Sequence, residues 1–98
     1  MEKFDELIKS PIPILVDFYA EWCGPCKSMK PVLEEVKKEI GESARIIKID
    51  VDKFEALAVE YHIQTVPTFI LFKNGENLWR QSGAIPGKVL KDIIKQHI

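Results

Sequence analysis

Ile14-Leu15-Val16-Asp17-Phe18-Tyr19, followed shortly by Trp22-Cys23-Gly24-Pro25-Cys26-Lys27, is the stretch on which the architecture turns. The first run is too short for a helix and nearly all apolar, as in a strand covered on both faces. From Gly24 to Ile40 the apolar residues Met29, Val32, Leu33, Val36 and Ile40 recur at the three-and-four spacing of a helix. Pro25 suits its first turn, Gly41 suits its C-terminal cap, and Pro31 inside it removes one hydrogen bond. Cys23 and Cys26 therefore lie where a buried strand turns into a helix.

The remaining chain supplies the partners of this unit. Phe4, Leu7 and Ile8 mark a short helix over 3–9, ended by Ser10-Pro11-Ile12-Pro13. Residues 45–51 alternate, with Ile47, Ile49 and Val51 on one face and Ile46, Lys48 and Asp50 on the other, which predicts a strand. Asp52 and Glu55 read as a capping box opening a helix over 53–62, with Phe54, Leu57, Ala58 and Tyr61 inward. Thr68 to Lys73 predicts a strand, Asn74-Gly75 a tight hairpin turn, and Asn77 to Gln81 the returning strand. Val89, Leu90, Ile93 and Ile94 mark a last amphipathic helix. The order α-β-α-β-α-β-β-α combines a right-handed parallel crossover with an antiparallel hairpin. It predicts an α/β fold with a mixed sheet and helices on both faces.

The 98 residues suffice for one domain, expected over 1–98, and for a useful core. Apolar residues make up 46% and charged residues 30%, the balance of a globular chain rather than a disordered one. A net charge of −1 gives no electrostatic case for nucleic acid or anionic lipid. No apolar run approaches the roughly 20 residues of a membrane span. The N-terminal run, Met1-Glu2-Lys3-Phe4-Asp5-Glu6, has charges of both signs and no apolar segment, so the expectation is a cytoplasmic protein without a secretory signal.

Cys23 and Cys26 are the only cysteines. As a staple they would close a short loop, worth about 2 kcal/mol against about 4.7 kcal/mol for a 100-residue loop. Two thiolates cannot fill a four-cysteine zinc site, and His62 and His97 lack zinc-ligand spacing, so no metal is expected. Residues three apart at a helix start lie about 5–6 Å from each other, within disulfide range. The free N–H groups and partial positive charge of a helix N-terminus favour a thiolate. Cys23, at the mouth of the helix beside Trp22, is expected to be reachable and to attack a target disulfide. Cys26, on the side of Met29 and Leu33, is expected to be shielded and to resolve the mixed disulfide. Gly24 allows another backbone to approach. Asp17 is the odd residue of the buried run. Burial raises its pKa, Lys48 lowers it if it approaches, and as a neutral acid Asp17 can exchange a proton with Cys26. The alternative is a buried Asp17–Lys48 ion pair with structural work only.

The run from Val16 to Lys27 resembles the thioredoxin family, as do Thr65-Val66-Pro67-Thr68, Lys73-Asn74-Gly75 and Gly83-Ala84 further on. The resemblance covers nearly the whole chain. It implies a three-layer α/β/α fold and a redox-active Cys23–Cys26 disulfide with no further cofactor. Asp17 with Lys48 resembles the family's buried acid and its neighbour, and Pro67 its cis-proline. Val66 then offers backbone bonds to an extended substrate, while Trp22, Gly24, Pro25, Val66, Pro67, Gly83 and Ala84 form an apolar docking rim. Tyr19 stands where bacterial members often carry Trp. The family usually begins with a strand before its first helix, whereas this chain starts almost at the helix. That predicts about four strands, with 45–51 as an edge. Such an edge permits weak self-association of an otherwise monomeric protein, opposed by Arg45 and Lys48.

The implied function is a protein-disulfide reductase, or dithiol electron carrier, recharged by a thioredoxin-reductase-type donor and acting on disulfide-containing proteins. The Gly-Pro pair between the cysteines resembles the reducing branch of the family. The alternatives are an oxidase or isomerase working by the same exchange, and a binding module whose disulfide is incidental.

Overall fold

A computed structural model describes residues 3–98; Met1 and Glu2, which open the charged N-terminal run, lie outside them. Helix α1 (Phe4–Leu7) precedes strand β1 (Ile14–Tyr19), helix α2 (Gly24–Ile40), a 3₁₀ turn (Gly41–Ser43) and strand β2 (Arg45–Asp50). Helix α3 (Glu55–Glu60), the hairpin of β3 (Thr68–Lys73) and β4 (Glu76–Ser82), and helix α4 (Gly87–Lys95) complete the order. Among the described residues the sheet has four strands in the order β2-β1-β3-β4. The β1–β2 pair is parallel, and β1–β3 and β3–β4 are antiparallel.

Alternation along the strands divides the interior into two layers. Leu15, Phe69 and Leu71 face α2 and α4, packing with Met29, Leu33, Val36, Leu90 and Ile94. Ile14, Val16, Phe18, Ile70 and Phe72 face the other side, where Phe4 and Ile8 pack with Phe54, Leu57 and Tyr61. Phe4 meets Phe72 and Tyr61 edge-on at centroid separations of 5.7 and 5.5 Å. This double coverage accounts for the apolar character of β1 and β3. It also places Asp17 on the same face as Leu15, beneath α2.

The turns follow their local chemistry with one correction. Asn74 and Gly75 have φ of 53° and 82°, the left-handed pair a tight hairpin demands. Their N–H groups donate to the carbonyls of Ser10 and Ile8 at 2.9 and 2.8 Å, which ties the hairpin tip to the chain after α1. Helix α2 continues through Pro31 and ends at Gly41, whose N–H donates to the Lys37 carbonyl. The expected capping box at Asp52 and Glu55 does not form. Helix α3 starts two residues later than expected, behind Phe54, with no side-chain cap. The Asp52 carboxylate is committed elsewhere, accepting the Trp22 indole N–H at 3.0 Å. The other end of α3 stops at Tyr61 because His62 turns left-handed at φ 54°. There the Arg80 guanidinium, reaching from β4, donates to the carbonyls of Tyr61 and His62.

Candidate functional site

Cys23 is the N-cap of α2, and Gly24, Pro25 and Cys26 form the first turn. The two cysteines are joined as a disulfide with a Cα–Cα distance of 5.2 Å, inside the range anticipated from their spacing. The Cys26 N–H donates to Cys23 Sγ at 3.1 Å, so the sulfur occupies the position of a capping acceptor. After reduction, that donor and the field of a helix of 17 residues favour the thiolate at Cys23 over that at any solvent-exposed cysteine.

Exposure does not separate the two sulfurs as expected. Cys23 is 3% and Cys26 6% accessible, so both are buried in the disulfide form. The reason is the Val66 carbonyl oxygen, which lies 3.6 Å from Cys23 Sγ and covers it from the side. What distinguishes the cysteines is their surroundings. Cys23 meets Val66 at the molecular surface, whereas Cys26 shares with Asp17 a cavity of about 10 Å3, about the space one water molecule needs.

Asp17 is 2% exposed, and its Oδ1 has no hydrogen-bond partner. Burial pushes its pKa from 3.8 up to about 6, opposed by the positive charge of Lys48. Lys48 is its register partner on β2, so the two project from the same face. They do not form a contact ion pair: the Lys48 ammonium instead sits 5.5 Å from the centre of the Tyr19 ring. A carboxyl held near neutrality beside a thiol is chemically a proton acceptor and donor.

The rim residues gather around the same helix end. Trp22 is 70% exposed, Gly24 and Pro25 are exposed, and Val66 is half-buried. The Val66–Pro67 peptide is cis, and the Gly83 N–H donates to the Pro67 carbonyl at 2.8 Å, drawing Gly83 and exposed Ala84 alongside. A groove of about 380 Å3 runs from Trp22 past Val51 to Thr65 and Val66. Asp52, which fixes the Trp22 indole, was not singled out from sequence as a site residue. The two are 30 positions apart, so no local pattern joins them. Gly83 has φ of 92°, where a β-carbon is strained whatever the space around it. Gly83→Ala should therefore lower stability by about 1–2 kcal/mol, read as a shift in the urea midpoint.

The sequence matches the family described as Thioredoxin over residues 1–96. The chain belongs to the thioredoxin family. It is 50% identical over 88 residues to "Thioredoxin Y, chloroplastic" of Oryza sativa subsp. japonica, an overlap of 89% of this chain and 52% of that protein. The chain thus spans about half the length of the rice relative. It is 42% identical to a thioredoxin of Haemophilus influenzae, covering 94% of this chain and 86% of that one. Mitochondrial thioredoxin 3 of Saccharomyces cerevisiae, in its oxidised form, superposes with a TM-score of 0.86 at 38% identity, over 95% of this chain and 86% of that one. Against these thioredoxins the architecture agrees with the sequence reading. Among the described residues no group of three or more potential metal ligands is found, and no helix is long and apolar enough to cross a membrane.

Proposed function

We propose that this thioredoxin-family protein is a protein-disulfide reductase, carrying electron pairs by thiol–disulfide exchange through Cys23 and Cys26. The observation that carries the reading is the Cys23–Cys26 disulfide at the N-cap of α2, with an N–H aimed at Cys23 Sγ and a buried carboxyl in the cavity beside Cys26. In the dithiol form the Cys23 thiolate attacks one sulfur of a target disulfide. A mixed disulfide forms, and the other target sulfur leaves as a thiolate. The Cys26 thiol passes its proton to Asp17, and its sulfur attacks Cys23 Sγ. The mixed bond breaks, the second target thiolate leaves, and the Cys23–Cys26 disulfide closes. Two electrons pass to the target, and its two departing thiolates take up one proton from Asp17 and one from solvent. Lys48 tempers the basicity of Asp17. Trp22, Gly24, Pro25, Val66, Pro67, Gly83 and Ala84 present an apolar rim, with Val66 offering its backbone to an extended substrate segment.

A thioredoxin-reductase-type enzyme is the donor that this cycle requires. A reducing compartment such as the cytoplasm is where such a dithiol stays reduced. The test is the equilibrium potential of the couple together with reduction of insulin by the dithiol form. The reference value for thioredoxins is about −270 mV. A potential near it with insulin reduction is the expected result. A value above about −180 mV points to an oxidase or isomerase and overturns the proposal. Activity retained after both cysteines are changed to serine would reveal a binding module instead.

A further inference from the structure

Among the described residues, the outer edge of β2 has no strand beside it. The Arg45 N–H donates to the Pro13 carbonyl and the Val51 N–H to the Tyr19 carbonyl, both at 2.9 Å. With Arg45 opposite Ile14 and Ile47 opposite Val16, the alternation of the ladder turns the N–H and C=O groups of Ile46 and Lys48 away from β1. Unpaired edge groups of this kind are a template for another strand. Between this edge and α2 runs a groove of about 450 Å3, lined by Lys30, Leu33, Glu34, Lys37, Ile46 and Lys48. Leu33 and Ile46 give it an apolar floor. Three lysines against one glutamate make it positive, and none of these four charges belongs to an ion pair among the described residues.

We propose that the β2 edge and this groove form a docking site for an extended, acidic segment of a partner protein, which adds to the sheet beside β2. Its backbone pairs with Ile46 and Lys48, its apolar side chains cover Leu33 and Ile46, and its carboxylates reach Lys30, Lys37 and Lys48. A second copy of this chain is a poorer occupant. The antiparallel arrangement that pairs the free groups of Ile46 with those of Lys48 is centred on Ile47. It gathers two sets of three lysines along one seam, with only two glutamates among them. None of the groove residues belongs to the rim around Cys23, so a segment held here leaves that rim open to a target, while Lys30 and Lys48, which also line the cavity of Asp17 and Cys26, put the groove next to the proton relay.

The test uses the intact protein and a short synthetic peptide alternating valine and glutamate, blocked at both ends and carrying a fluorophore. The glutamate peptide should bind, and a valine–lysine counterpart should not. Raising the salt concentration, or the Lys30→Glu/Lys37→Glu change at two exposed helix positions, should weaken binding about tenfold or more. Bound peptide should slow amide exchange at Ile46 and Lys48. N-methylation on alternate peptide residues should abolish binding in one phase and spare it in the other, because only one set of amides faces β2. Absence of binding overturns the proposal. So does equal binding of both methylated peptides, which would mean charge attraction without strand pairing. Sedimentation showing a dimer that the glutamate peptide does not displace would assign the edge to a second copy and overturn it as well.

Discussion

A Cys26→Ser variant should accumulate target proteins as stable mixed disulfides through Cys23, and a Cys23→Ser variant should trap none. The asymmetry follows from which sulfur caps the helix. Only Cys23 Sγ receives a backbone N–H at the mouth of α2, and only Cys23 borders the rim residue Val66. Cys26 faces the cavity of Asp17, where it can reach Cys23 but no protein disulfide. Serine keeps the shape of either side chain but cannot take part in disulfide exchange. In the Cys26 variant the first half of the cycle proceeds and the second stops. In the Cys23 variant nothing begins. Multiple-turnover reduction of insulin should fall by more than about 10³-fold in both. Both variants should fold, since closing so short a loop contributes only about 2 kcal/mol. Non-reducing gels of captured protein check the assignment, and equal trapping by the two variants would show that it is wrong.

Burial of both sulfurs gives the same experiment a kinetic side. At 3% exposure Cys23 is not presented to solvent in the disulfide form, and the Val66 carbonyl stands beside it. Reactivity then depends on ionisation more than on access. In the reduced protein at neutral pH, iodoacetamide should modify Cys23 faster than Cys26, with the ratio falling as pH rises through the ordinary thiol range near 8.5. Equal rates at neutral pH would remove the helix-end argument for Cys23.

The parts legible in sequence were those set by patterns of short range. The apolar run Ile14–Tyr19, the helical spacing of Met29 to Ile40 and the Asn74-Gly75 turn each specify their element locally, and the structure has all three. Strand β2 as a sheet edge followed from the family resemblance, and among the described residues it stands at the edge. What escaped depends on groups distant in sequence. Asp52 reads as a helix cap next to Glu55, yet its carboxylate binds Trp22 across 30 positions, and a cap gives way to that partner. Arg80 lies within the run Asn77 to Gln81, which the sequence marks only as the returning strand, yet it holds the carbonyls that end α3. Lys48 was legible as a neighbour of Asp17 through the family resemblance. That it lies over Tyr19 rather than in an ion pair was not, because side-chain direction along a strand edge is set by packing. The burial of Cys23 comes from the loop at Val66, 43 residues further on, so no reading of the local run discloses it.

Asp17→Asn should stabilise the protein at pH 7 and slow its turnover. The sign comes from linkage. Burial holds the pKa of Asp17 at about 6, above its ordinary value of 3.8. Between those values the folded protein binds more protons than the unfolded chain, so stability falls as pH rises from about 4 to about 6, then levels off. A rise of that size corresponds to about 3 kcal/mol of penalty once the carboxylate is ionised. The asparagine amide retains part of the desolvation cost, so the net gain at pH 7 should be about 1–2 kcal/mol, vanishing near pH 4. Urea unfolding at a series of pH values checks this. Catalysis should move the other way. Without the carboxylate, the step in which Cys26 attacks the mixed disulfide should slow by about 10²-fold at pH 7, and should recover toward higher pH as the Cys26 thiol ionises unaided. A Lys48→Met variant tests the same balance from the opposite side. Removing the nearby positive charge raises the Asp17 pKa further and should destabilise the protein at neutral pH. Should Asp17→Asn instead lose stability with turnover intact, Asp17 and Lys48 act as a structural pair, and the proton relay is withdrawn.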